Sequence, residues 1–163
     1  MAVEVLETPL ASAQTARLRG PAVRAYQRFL DELADRGCGA LAYRVTGPTP
    51  LEYLCVKHLR GEDRVVVAFE SDTRAWVLLV GSHREDDPRR NFYDQLYRLA
   101  GVSPPADQRR RKPPCCENVV HPPVLDDQAV AVLVDRATSL LREDNRRAGP
   151  RRRRRANTER RSR

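Results

Sequence analysis

Residues 64–81 read RVVVAFESDTRAWVLLVG. The two halves, 64–70 and 75–81, are β-branched and apolar, while Ser71-Asp-Thr-Arg74 between them is short and polar. This pattern predicts a β-hairpin. Upstream, 52–59 (EYLCVKHL) follows the turn-rich Thr46-Gly-Pro-Thr-Pro50 and reads as a further strand, so that the three segments make an antiparallel meander. Downstream, 89–100 (RRNFYDQLYRLA) predicts a helix with Phe92, Leu96 and Leu99 on one face.

Toward the N-terminus, 2–6 (AVEVL) alternates apolar and polar residues, as a short strand at a sheet edge does. From Ser12 to Arg36, Leu18, Val23, Tyr26, Phe29, Leu30 and Leu33 recur at three- and four-residue steps. Gly20-Pro21 divides this stretch into two helices, and Gly37 and Gly39 end the second. The expectation over 1–103 is a two-layer α+β domain, with an N-terminal helical pair packed on a small antiparallel sheet.

Composition separates the remainder. Of 163 residues, 40% are hydrophobic and 32% charged, a low apolar share for a chain folded along its whole length. Residues 1–107 carry a net −1, 108–142 a net +2 and 143–163 a net +7, which make up the formal +8. The prolines and the RRRK run at 109–112 mark 104–125 as a linker, 126–143 as an amphipathic helix, and 144–163 as a disordered Arg-rich tail. Such a tail suits a polyanion such as nucleic acid, and equally a solubilising appendage.

No run approaches the length of apolar chain that crosses a bilayer, and the start MAVEVLETPL has no basic flank, so a soluble cytoplasmic protein is expected. Cys38, Cys55, Cys115 and Cys116 show no spacing of a disulfide framework and are expected as reduced thiols. Cys115-Cys116 with His121 lacks the usual chelating interval, so no metal is expected. Phosphate-binding glycine loops, nucleophile elbows and histidine-rich helices are missing from the sequence, which disfavours kinases, serine-type hydrolases and zinc proteases.

The order of short strand, helical pair and three-stranded meander resembles the RelE/ParE toxin superfamily of type II toxin–antitoxin systems, in particular its HigB-like, phage-derived branch. The resemblance is carried by Val56-Lys57-His58-Leu59-Arg60, by 64–70, by Trp76-Val-Leu-Leu-Val-Gly81, and by Ser82-His83 followed by Asn91-Phe-Tyr-Asp94. It covers about residues 1–103.

The resemblance implies a ribonuclease that cuts messenger RNA, often on the ribosome, without cofactor or metal, held inactive by a cognate antitoxin, commonly a helix-turn-helix protein. By position, the family's strand lysine falls on Lys57, its arginine opening the next strand on Arg64, its basic residue after the strand-ending glycine on His83, and its helix aromatic on Tyr93. Relatives with two lysines two apart would place the first at 55, where this chain has Cys55.

The chemistry can be stated independently of the family. Metal-free RNA cleavage needs a base for the 2′-hydroxyl, cations beside the phosphate and an acid for the leaving 5′-oxygen. Lys57 and Arg64 supply charge, Arg in a fork that fits phosphate oxygens. A histidine such as His83 is the side chain suited to proton transfer near neutrality. Tyr93 can stack a base or donate a proton. Arg60 and Arg84 at strand ends, with Arg151, Arg152, Arg153, Arg154 and Arg155 in the tail, are candidate RNA contacts.

Each residue also has a plainer role: solvated charge on a strand for Lys57 and Arg64, a loop histidine for His83, core packing for Tyr93. His58 points away from Lys57 and is the weaker candidate. Alternatives to the nuclease are a catalytically inactive RelE-fold regulator that binds nucleic acid or a partner, and a ParE-like toxin directed at DNA gyrase.

Overall fold

The structure, a computed structural model, describes residues 2–84, 86–104, 112–118 and 120–161, the last segment through its backbone alone from 149 onward. It is an α+β fold of five strands and four α-helices in the order β1 (Glu4–Glu7), α1 (Pro9–Thr15), α2 (Pro21–Arg36), β2 (Tyr43–Arg44), β3 (Leu54–His58), β4 (Asp63–Ser71), β5 (Arg74–Ser82), α3 (Phe92–Ala100) and α4 (Asp127–Arg161). The strands form one sheet in the order β1-β5-β4-β3-β2. No helix among the described residues is long and apolar enough to cross a membrane.

The meander is present with the expected turn, and β1 lies at an edge. The sheet is nevertheless mixed rather than antiparallel throughout, because β1 runs parallel to β5. Alternation in 2–6 marks an edge strand but carries no information on the direction of its neighbour.

Two cores lie on opposite faces of this sheet. On one, Tyr26, Phe29 and Leu33 of α2 pack with Cys55, Val65, Val67, Phe69 and Val77. On the other, Phe92, Leu96 and Leu99 of α3 and Val130, Leu133, Ala137 and Leu140 of α4 pack with Leu54, Val56, Val66, Ala68 and Leu78. Helix layers thus cover both faces, and the expected two-layer arrangement becomes three. The cause is visible in β4 and β5: a sheet with one wet face alternates, whereas VVVAF and VLLV are apolar on both sides. The helical pair is also divided, with α1 lying against β5 and α4 while α2 covers the opposite face.

Residues 112–125, expected within a linker, run as a strap held to the domain. Arg44 donates its backbone N–H to the Pro113 carbonyl at 2.8 Å and its Nε to that of Pro114 at 3.2 Å, and Leu125 donates to the Phe69 carbonyl at 2.9 Å. Cys116 is disulfide-bonded to Cys38 beyond the end of α2, and Cys115 to Cys55 on β3, leaving no free cysteine. The expectation of reduced thiols is therefore overturned. Adjacent cysteines cannot be read by interval, and in a strap their side chains can serve two different elements.

Helix α4 begins as expected but its backbone continues to Arg161, past the expected end at 143 and through the stretch expected to be disordered. The side chains of Arg151 to Arg155 lie outside the described residues.

Candidate functional site

Four chain segments meet where β3 ends, β4 begins, β5 ends and α3 starts. The β3–β4 connection sets what faces what. Leu59 donates to the Asp63 carbonyl at 2.9 Å, Asp63 to that of Arg60 at 2.9 Å, and Gly61 takes the positive φ the turn requires. This closure opposes His58 to Arg64 and Lys57 to Val65.

Side chains alternate along a strand, so Arg64 shares the face of Val66 and Ala68, while Lys57 shares that of Cys55 and Val65. Lys57 and Arg64 therefore do not converge. The half-buried Lys57 lies on the α2 side of the sheet, and His58, the weaker candidate in the sequence, occupies the face of Arg64.

Around Arg64 the structure does gather Tyr93 and His83. Its guanidinium lies 5.9 Å from the Tyr93 ring centroid, within cation–π range. The His83 ring meets the same tyrosine edge-on, with centroids 5.0 Å apart. Asn91 positions both rings: its side-chain oxygen accepts from the backbone N–H groups of Tyr93 and Asp94, capping α3, and its Nδ2 donates to the His83 carbonyl at 2.8 Å. His83 is exposed, Tyr93 half-buried.

Three residues that sequence reasoning missed complete the cluster. The hydroxyls of Tyr43 and Tyr93 are 2.8 Å apart. Lys112 places its ammonium 4.8 Å from the Tyr43 ring centroid. Glu62 lies 3.5 Å from Arg64 and 3.3 Å from Arg84, joining both arginines through one carboxylate. Tyr43 sits on a two-residue strand, too short for periodicity to register, and Lys112 lies within a basic, proline-rich run. Arg60 is exposed in the β3–β4 turn, and Arg84 is exposed beside His83.

Burial raises the Tyr93 phenol well above the ordinary tyrosine range; the Tyr43 hydroxyl adds to the rise and Arg64 opposes it. Tyr93 is thus a neutral hydrogen-bonding phenol at physiological pH. The arrangement offers a guanidinium for an anion, aromatic surfaces for a flat ring, and an accessible imidazole. No protein-family model and no curated protein matches this sequence.

Proposed function

We propose that this chain is the toxin of a type II toxin–antitoxin system, a RelE-like, metal-free endoribonuclease that cuts messenger RNA at the Arg64–His83–Tyr93 cluster. The observation that supports it is the meeting of these three residues on one face at one end of the sheet. His83 takes the proton of a ribose 2′-hydroxyl, whose oxygen attacks the adjacent phosphorus. Arg64 carries the charge that develops on the non-bridging oxygens, and Tyr93 protonates the departing 5′-oxygen. The products are a 2′,3′-cyclic phosphate and a 5′-hydroxyl. Lys57 has no part in this scheme. Arg60, Arg84 and the arginines of 151–155 supply contacts to flanking phosphates, and a cognate antitoxin restrains the enzyme in the cytoplasm.

A second reading, a regulator that binds nucleic acid without cutting it, is favoured by the Glu62 carboxylate beside Arg64 and by Lys57 on the far face. Mapping RNA 5′ ends after incubation with the purified chain separates the two. Disulfides persist chiefly in oxidising surroundings, so oxidised and reduced protein are both assayed. Under the nuclease reading, His83→Ala lowers cleavage by about 10² to 10⁴-fold, the usual share of one acid–base group. Binding without new 5′ ends in either redox state would leave the regulator.

A further inference from the structure

Beyond the end of β1 at Glu7, the edge of β5 from Leu78 to Ser82 that faces away from β4 has no strand neighbour among the described residues. Part of it is closed by α1: the Thr8 hydroxyl donates to the Leu78 carbonyl at 2.7 Å, and the Val80 N–H donates to Gln14 Oε1 at 2.8 Å. Next to this closure is a cavity of about 240 Å³, lined among others by Gln14, Arg17, Ser82, Arg90, Gln95 and Asp144. It is linked to the cluster described above through the backbone of β5 and the start of α3. Gly81, which lines it, pairs with Arg64, and Arg90 precedes the Asn91 that holds His83.

The two glutamines are committed to the wall. Gln14 Nε2 donates to Gln95 Oε1 at 2.9 Å, and Gln95 Nε2 donates to the Arg89 carbonyl at 2.8 Å. The charged groups are held less closely: among the described residues, Arg17, Arg90 and Asp144 line one cavity and none of them forms an ion pair within 4.0 Å, although Arg90 acts on Asp87 and Asp144 on Arg89 at longer range. A bare anion would gain from the arginines but meet the carboxylate. A ligand with an acceptor edge and a donor edge satisfies both signs.

We infer that this cavity takes a guanine base of single-stranded RNA, with arginine donors on O6 and N7 and the Asp144 carboxylate accepting from N1–H and the exocyclic amine. Among the four RNA bases, only guanine presents that pair of edges, and unpaired bases are read in this manner on both edges. The cavity thereby sets a guanine preference beside the cleaved bond. As a feature of the RNA-cutting site the inference rests on the proposed function; as a base pocket it is tested separately.

The test titrates the oxidised full chain by calorimetry with GMP, AMP, CMP and UMP. GMP should bind tightest, by about tenfold or more, the discrimination of one good bidentate base contact. Asp144→Asn should lose about as much affinity for GMP and gain it for xanthosine monophosphate, whose carbonyl in place of the amine now meets an amide donor. Arg17→Ala, at an exposed position, should weaken GMP without that gain.

Equal binding of all four nucleotides, no binding of any, or an Asp144→Asn variant with unchanged base preference would overturn the inference. A guanine preference in a protein that cuts no RNA would retain the pocket and remove the nuclease. RNA cleavage indifferent to guanine, with no GMP preference, would do the reverse.

Discussion

The Arg64 guanidinium lies 5.9 Å from the Tyr93 ring centroid, while the Arg64 backbone is paired with Gly81 on the strand that leads to His83. One arginine is thus related to the aromatic residue through space and to the histidine through the sheet. Replacing it with alanine should lower RNA cleavage by about 10² to 10³-fold, the range for removing one preorganised group opposite developing charge. Lys57→Ala, altering the far face, should cut near the wild-type rate. Cleavage rates of the two purified variants check this, and equal losses would contradict the assignment of faces.

Asn91 serves two elements at once. Asn91→Ala should cost about 1 kcal/mol of stability through loss of the α3 cap, and should also reduce cleavage because the His83 carbonyl loses its anchor. Denaturant titration measures the first and initial rates the second. Stability lost with activity retained would show that His83 does not need this support.

Two tyrosines should ionise late. Burial raises both Tyr26, beside the Glu7 carboxylate, and Tyr93 above the ordinary range. The folded values exceed the unfolded one, near 10, so these groups contribute stability that is fully present below that pH. It is lost as pH rises above 10 toward the folded values. Ultraviolet titration of phenolate should find part of the tyrosine signal lagging, with its release coinciding with alkaline unfolding. Ionisation of all the tyrosines together, well below unfolding, would contradict their burial.

The disulfides close sequence separations of 78 and 60 residues. Removing one such link typically costs about 2 to 5 kcal/mol. Because Cys115 and Cys116 are neighbours, the first link broken releases only the short loop between residues 38 and 55, while the remaining link still closes the longer one, so breaking the second should cost more than breaking the first. Cys55 and Cys115 are both buried, whereas Cys116 is half-buried, so mild reductant should open Cys38–Cys116 first. Alkylation with mass spectrometry reports the order, and melting with and without reductant reports the cost.

Much of the architecture was legible because β4 and β5 carry dense β-branched runs around a four-residue polar turn and because α2 and α3 repeat at helical spacing. Their observed bounds lie close to the expected ones, apart from α3, where the Asn91 cap delays the start to Phe92. The faces of Lys57 and Arg64 were not legible in the same way. Alternation separates Lys57 from His58, but the hairpin register decides which of them joins Arg64, and a slip of one residue exchanges the faces. Register here depends on the Leu59–Asp63 closure, which no periodicity encodes. Tyr43 and Lys112 were hidden for a different reason: one belongs to a strand of two residues and the other to a strap held by tertiary contacts.

That strap has a consequence for what a cut in the backbone would do. Both disulfides join the part of the chain before residue 56 to the part after residue 114. A single peptide bond broken in the exposed turn at Asp72-Thr73 would leave two pieces tied together at two points. A protease acting there would yield a doublet on a reducing gel and one undivided species without reductant. The molecule could thus be clipped in the middle of its sheet and remain one covalent body until its surroundings became reducing.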